Sequence, residues 1–128
     1  MNKKILLVSI IFIVSAIIFG AFGAHALKNH LTEMKVSSFE VGVRYQLYQG
    51  LGLMIIALNQ EKFKFNLNWF YQFSFYGTIL FSFSIYILAF SDKIHLPTQI
   101  IGPITPIGGT MIIISWIILA VNIIKQKK

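Results

Sequence analysis

The stretch ILLVSIIFIVSAIIFGAF, residues 5–22, is a run of 18 residues without a charged side chain. A helix of about 20 apolar residues spans the hydrocarbon core of a bilayer, which is ~30 Å thick. A chain of only 128 residues could not bury such a run, together with the apolar runs that follow it, in a soluble core. The stretch therefore predicts a membrane-spanning helix.

The residues that end this run allow two interpretations. In IFGAFGAHALKNH, residues 18–30, the tripeptide AHA matches the cleavage site of a secretory leader. The apolar region of a leader is typically about 7–15 residues long, however, and this one is longer. Ala16, Gly20 and Ala24 also recur at every fourth residue, a spacing of small side chains that lets membrane helices approach closely. We predict that the segment stays in the protein as a first membrane helix, with these three as helix-packing residues.

The composition of the whole chain favours the membrane. Apolar residues make up 56% and charged residues 12%, about half the charged share of a soluble domain. The absence of cysteine excludes a disulfide framework and thiolate chemistry. The net charge of +7 comes from short basic clusters beside apolar runs, as in membrane proteins, so nucleic acid is not expected as a partner.

Four apolar runs predict the fold, which is an all-α, integral membrane four-helix bundle forming a single domain. The runs lack the alternation of barrel strands and are too long for them. Between the first two runs, Leu27, Leu31 and Met34 share one helix face among polar neighbours, which predicts a short amphipathic helix at the interface. The predicted spans cover about residues 5–22, 41–58, 67–90 and 106–124.

Two motifs predict where helices begin. Ser37 and Glu40, in VSSFEV, have the spacing of a capping box, which would start the second helix. Thr105 and Pro106, in PITPIGG, would provide the N-cap and the first position of the fourth helix.

The distribution of basic residues predicts an orientation. An even number of spans puts both termini on one side, and that side holds seven of the eleven lysines and arginines. The positive-inside rule then makes both termini cytoplasmic. The seven are Lys3, Lys4, Lys62, Lys64, Lys125, Lys127 and Lys128, and the other four are Lys28, Lys35, Arg44 and Lys93.

Four segments, GAFGAHALK, VRYQLYQGLGL, GTILFSFSIYIL and GPITPIGG, resemble in order the signatures of a small bacterial family. This is domain of unknown function family 423, also called uncharacterised protein family 0382, and it is related to eukaryotic transmembrane protein 256. The resemblance implies a multi-pass, four-helix protein of the bacterial plasma membrane and implies no particular chemistry. Two positions depart from the family pattern. Gln49 stands where relatives usually carry His, and Phe83 stands where they usually carry Gly.

Arg44 is the most distinctive candidate for a functional residue. It lies about six residues past the predicted start of its helix, which is about 9 Å into the span at 1.5 Å per residue. An intramembrane cation marks a functional site by default. The structural alternative, which we favour because of the shallow position, is that Arg44 pairs with Glu40 and reaches the headgroups. The candidate polar or lipid-contact site on this helix comprises Glu40, Arg44, Tyr45, Gln46 and Tyr48.

The third and fourth runs carry small and hydroxyl-bearing residues at regular spacing. Ser74, Thr78 and Ser82 recur at every fourth residue. Such a stripe could line a pathway, but it is more typical of a helix-packing face. Gly108 and Gly109 likewise indicate close helix packing, because no strand precedes them as in a phosphate-binding loop.

Three classes of function remain open from the sequence. The favoured one is a structural or accessory membrane protein whose partners are lipids and, as an option, a second copy of the chain. The alternative is a small four-helix transporter or channel, although no acidic residue lies deep in a span, where proton coupling usually needs one. An enzyme acting on lipid headgroups through His25, His30, Glu33 or Asp92 is less supported. The histidines match no zinc motif, and neither a metal nor a cofactor is expected.

Overall fold

The protein is all-α. The computed structural model describes residues 1–126, and every regular element in that range is helical. The helices, in chain order, are α1 (Lys3–His25), α2 (Glu33–Leu58), α3 (Asn68–Thr78), α4 (Ser84–Ala89), α5 (Ser91–Ile94), α6 (Thr98–Ile101) and α7 (Ile104–Lys125). Two 3₁₀ turns, Leu27–Asn29 and Gln60–Lys62, lie in connections, and a π-helical turn, Ile79–Phe83, joins α3 to α4.

Side-chain caps start the first two long helices. Asn2 Oδ1 accepts a hydrogen bond from the Ile5 amide at 3.2 Å, and Thr32 Oγ1 accepts one from the Lys35 amide at 3.4 Å. Each bond satisfies an amide that has no partner within the helix. The capping box predicted at Ser37 is wrong, because α2 already begins directly after Thr32, one turn earlier.

The start of α7 also differs from the prediction. The helix begins at Ile104, with Pro103 as its N-cap residue. Thr105 lies inside the helix and shares a hydrogen bond with the Ser84 hydroxyl at 2.6 Å. Pro106 occupies the third helical position, where the missing amide would have no partner within the helix. The predicted Thr105 cap is wrong, because that hydroxyl binds a side chain of α4.

The connection between α1 and α2 is shorter than predicted. In place of an amphipathic helix, it contains the single 3₁₀ turn at residues 27–29. Leu27 is buried, whereas Met34 already belongs to α2 and is exposed. Since α1 continues to His25 and α2 begins at Glu33, too few residues remain for a separate helix. The predicted amphipathic helix is not confirmed.

The first and last described residues lie at the same end of the bundle, here named the terminal end. The Asn2 amide donates a hydrogen bond to the Ala57 carbonyl at 3.3 Å, and the Lys64 amide donates one to Gln126 Oε1 at 2.9 Å. The opposite end, named the loop end, holds the connections that precede α2 and α7. The long helical stretches therefore run alternately in opposite directions.

Helix α2 occupies the middle of the bundle. It packs along α1 on one side and against α4 and the π-turn on the other, while α7 packs on α3 and the π-turn. One apolar cluster fills each half of the interior. In the terminal half it comprises Phe12, Leu53, Leu67, Phe70, Tyr71 and Leu119, and in the loop half Leu27, Val36, Phe39, Tyr86 and Ala89.

The outside of the bundle is apolar, as the composition predicts. Large side chains of α1 such as Leu7, Ile11 and Ile18 are exposed. So many large exposed apolar side chains are stable in hydrocarbon and unusual on a soluble monomer. Within residues 1–126, three helical stretches are long and apolar enough to cross a membrane, namely Lys3–Gly23, Asn68–Ala89 and Thr98–Lys125. The fold is that of an integral membrane helix bundle.

Candidate functional site

Gln46 lies at the centre of the bundle and joins three helices. Its side chain is fully buried. Nε2 donates hydrogen bonds to the Phe12 carbonyl at 3.0 Å and to Ser15 Oγ at 2.6 Å, both on α1. Oε1 accepts a hydrogen bond from the Tyr86 hydroxyl on α4 at 2.7 Å. The amide group of Gln46 thus links α1, α2 and α4.

Gln49, about one turn further along α2, joins this helix to α3 and α7. Its Oε1 accepts hydrogen bonds from Ser74 Oγ on α3 at 2.8 Å and from Trp116 Nε1 on α7 at 3.2 Å. An unpaired amide in hydrocarbon is costly, so these bonds specify which helices surround α2. We name the polar layer the set Ser15, Gln46, Gln49, Ser74, Tyr86 and Trp116.

The serine and threonine stripe of the third run lies inside the protein. Ser74, Thr78 and Ser82 are each fully buried. Ser74 donates to Gln49, and Ser82 donates to the Gly42 carbonyl of α2 at 2.8 Å. Thr78 bonds within its own helix, to the Ser74 carbonyl at 2.7 Å. Two of the three hydroxyls therefore bind α2 directly.

Helix α7 crosses the third helical stretch at two glycines. A Cβ atom on Gly108 would overlap the backbone nitrogen of Phe81 and lie 2.8 Å from the Gly77 carbonyl oxygen. A Cβ atom on Gly77 would lie 2.9 Å from the Ile112 amide nitrogen. At Gly109 the nearest atom would be a ring carbon of Phe81, at an ordinary 3.4 Å. The predicted close packing is confirmed at Gly108, where backbone meets backbone at the π-turn.

The small residues of α1 face α2 in part. Ala16 is 1% exposed, and a Cβ atom on Gly20 would lie 3.3 Å from Cγ1 of Val43. The side chain of Ala24 lies outside what the structure describes. The two described members thus adjoin the interior, in the region where α1 and α2 pack.

The predicted lipid-contact residues divide between two faces of α2. Glu40, Arg44, Tyr45 and Tyr48 are exposed, whereas Gln46 belongs to the polar layer. The five residues were predicted as one site because they are close along the chain. Arg44 and Gln46 are two residues apart, however, and residues with that spacing do not share a helix face. The structure separates an inward amide from an outward patch, which we name the α2 patch: Glu40, Arg44, Tyr45 and Tyr48.

Arg44 is not paired with Glu40. The ion pairs within residues 1–126 are Lys35 with Asp92 and the terminal ammonium with Glu61. Because Val43 packs on Gly20, Arg44 lies near the level of that glycine, five residues before the end of α1. Five residues of helix are about 7 Å long. The side chain of Arg44 can extend toward the level at which α1 ends. Because α2 begins at Glu33, however, Arg44 lies eleven residues into its helix, which is deeper than the sequence predicts.

A known protein family matches most of this chain. The model of the family described as "Protein of unknown function (DUF423)" matches residues 19–109. The chain belongs to this family. The match includes both glutamines of α2 and the glycine crossing at Gly108.

Several DUF423 relatives are named UPF0382 membrane proteins. One from Staphylococcus epidermidis is 41% identical over 106 residues, 83% of each chain. SSP2132 of Staphylococcus saprophyticus is 42% identical over 106 residues, 83% of this chain and 84% of its own. YwdK of Bacillus subtilis is 36% identical over 111 residues, with the same coverage of 83% and 84%. No solved structure matches. The relation to transmembrane protein 256 stays a prediction.

The two departures from the DUF423 pattern lie in different surroundings. Gln49 belongs to the polar layer, where its oxygen accepts hydrogen bonds from Ser74 and Trp116. Phe83 ends the π-turn, and its ring lies 5.6 Å from that of Tyr86. Sequence reasoning noted that the α2 amides need partners but did not identify Trp116 or Tyr86. The signal for both was their indole or phenol group within an apolar run, since such groups seek hydrogen-bond partners when buried.

Proposed function

We propose that this DUF423 protein is a four-span structural or accessory protein of the bacterial plasma membrane that acts through helix and lipid contacts. The main support is the closed interior. Every buried side-chain nitrogen and oxygen within residues 1–126 has a hydrogen-bond partner in the chain. An interior whose polar groups are committed to holding helices together favours a packed scaffold over a solvated path.

Helix α2 is the proposed fourth span. It has 26 residues, which is about 39 Å of helix and longer than the ~30 Å hydrocarbon core. The side-chain amides of Gln46 and Gln49 are hydrogen-bonded to residues of α1, α3, α4 and α7. The neighbouring helices thus provide hydrogen-bond partners that lipid tails could not. Glu33, Lys35 and Glu40 lie in its first eight residues, at the loop end.

The proposed orientation places the terminal end in the cytoplasm, because most lysines lie there. Single cysteines replacing Asn29 or Lys93 should react with an impermeant thiol reagent in intact cells, and one replacing Lys62 should not. All three positions are exposed in the structure, so burial does not explain the difference. Lysed cells provide the control, since all three sites should then react. Labelling of Lys62→Cys alone in intact cells would reverse the topology. A cysteine at Lys127 should behave like one at Lys62, although that residue lies outside those described.

The α2 patch is the proposed lipid-contact surface. Arg44 is exposed, has no carboxylate partner in the described chain, and lies about 16 Å by helix rise from the start of α2 at Glu33. A cation at this depth is stabilised by an anion, and the guanidinium fork matches a phosphate oxygen pair. Tyr45 and Tyr48 flank it as amphipathic rings suited to the headgroup region.

Arg44→Ala should insert and fold normally but retain less anionic lipid after purification. Removing the cation lowers the cost of insertion, which is roughly 2.5–3.5 kcal/mol for a charge at the centre of a span. Arg44→Lys keeps the charge without the bidentate fork and should give an intermediate result. Mass spectrometry of co-purified lipid measures the effect, with Lys62→Ala as the matched control at the other end. Equal lipid amounts in wild type and Arg44→Ala would remove Arg44 from the proposal.

A further inference from the structure

A cleft of about 360 Å³ opens at the loop end between α2, α4 and the residues that lead into α7. Helix α7 is held against the π-turn at Gly108, and the cleft is the space left between its start and α2. The volume lies within the range of ligand sites, ~300–1,000 Å³. The cleft is lined by Lys35, Ser38, Val41, Ile85, Leu88, Ala89, Gly102 and Thr105.

The lining changes from charged to apolar with depth. Lys35, Ser38 and Val41 follow one another at three-residue spacing on α2, which covers about 9 Å of helix. Lys35 lies nearest the start of α2 and is the one charged residue of the lining. Further along the helix, Val41 lines the cleft together with the apolar residues Ile85, Leu88 and Ala89 of α4. A site with a cation at its mouth and a hydrocarbon lining fits an anionic amphiphile.

The surroundings of the cleft favour a lipid over a water-soluble anion. The segment between α4 and α7 exposes Ile94, Leu96 and Ile100, which are 51%, 41% and 68% accessible. Apolar side chains exposed beside a basic residue are typical of a segment that lies in the membrane interface. A phospholipid at that interface would present its phosphate at the level of Lys35 and its chains toward Val41.

We propose that this cleft holds one acyl chain of an anionic phospholipid, with the headgroup phosphate on Lys35 Nζ. In the described structure Lys35 is paired with the Asp92 carboxylate, whose side chain is 79% exposed. The phosphate and Asp92 therefore compete for one ammonium group. The site rests on the proposed membrane function but uses residues separate from the α2 patch.

Because the phosphate and Asp92 compete for Lys35, neutralising Lys35 and neutralising Asp92 should change lipid binding in opposite directions. Lys35→Gln should weaken binding of phosphatidylglycerol on the order of tenfold, as expected for the loss of one hydrogen bond to a charged group. Asp92→Asn removes the competitor and should strengthen binding. Lys93→Gln, an exposed neighbour of Asp92, is the matched control and should bind like wild type. Native mass spectrometry of the full chain in nanodiscs of equimolar phosphatidylglycerol and phosphatidylcholine measures the retained lipid.

The acyl chain is tested by filling the cleft. Val41→Phe should lower lipid retention and photo-crosslinking to a phosphatidylglycerol with a chain-borne diazirine. Leu51→Phe places the same aromatic ring on the exposed face of α2 and should change neither. Inorganic phosphate should not displace the lipid, because it has no chain to occupy the cleft. Displacement by phosphate alone, with Val41→Phe unchanged, would overturn the acyl-chain site.

The remaining outcomes distinguish lipid binding in the cleft from lipid contact at the α2 patch. If Lys35→Gln does not fold, Lys35→Arg should fold and bind like wild type, and Asp92→Asn must still bind more tightly. Equal binding by Lys35→Gln, Asp92→Asn and wild type would overturn the cleft site. If Arg44→Ala loses lipid while those variants do not, lipid contact stands at the α2 patch and the cleft proposal fails.

Discussion

Gly108→Ala should be among the most destabilising single-methyl substitutions in this protein. The added Cβ would overlap the Phe81 backbone nitrogen and lie 2.8 Å from the Gly77 carbonyl, and neither backbone group can rotate away. Helix α7 would have to move off the π-turn, which also pulls Trp116 from Gln49. Overpacking a well-packed core typically costs ~1–3 kcal/mol, and we expect a loss of unfolding free energy at the upper end.

Gly109→Ala is the matched control for this experiment. It makes the same chemical change one residue later, where the new methyl would meet only a Phe81 ring carbon at 3.4 Å. Both changes raise helix propensity equally, so propensity cancels in the comparison. Denaturant titration of the detergent-solubilised protein gives both values. Equal stability of the two variants would show that the crossing at Gly108 is not tightly packed.

Gln46→Leu should also be strongly destabilising, because it leaves the Tyr86 hydroxyl without its acceptor in the bundle interior. A stranded buried donor typically costs ~1–3 kcal/mol. Ser15 loses less, since its hydroxyl also donates to the Ile11 carbonyl at 2.6 Å. The loss should appear as a lower unfolding midpoint and as weaker protection of α1 in hydrogen exchange.

Tyr86→Phe tests whether the hydrogen bond between Tyr86 and Gln46 is the cause of this destabilisation. Alone, it removes the donor and leaves Gln46 Oε1 unpaired. Combined with Gln46→Leu, it removes both partners, so the double variant should be more stable than the sum of the two single effects predicts. A double-mutant cycle measures this coupling. Strictly additive effects would mean that the bond contributes nothing beyond the packing of each side chain.

The candidate site was only partly predictable. Gln46 could be placed in a membrane helix and given a need for partners, since an unpaired amide in hydrocarbon is costly. Its partners could not be named, because they lie 31 to 40 residues away along the chain. Gln46 and Arg44 were grouped together because they are close in sequence. Their opposite orientations depend on which face of α2 the other helices cover.

Helix starts show how local signals compete. Ser37 with Glu40 and Thr32 both fit an N-cap, and local propensity does not rank them. Packing of Val36 and Phe39 into the loop-half cluster stabilises the turn before Ser37, which makes Thr32 the cap. Thr105 also has a side chain suited to an N-cap, but its hydroxyl shares a hydrogen bond with Ser84 of α4 instead.

Composition, run length and local motifs are enough to predict the class of the protein, its approximate helical runs and its family. Hydrocarbon is the only solvent that accepts so much apolar surface on so short a chain. Three features become visible only in the folded protein: α2 is central, its two glutamines bind α1, α3, α4 and α7, and Lys35 borders a cleft. These features depend on where separate helices cross, and each crossing is set by backbone contacts such as Gly77 with Gly108, between residues distant in the chain.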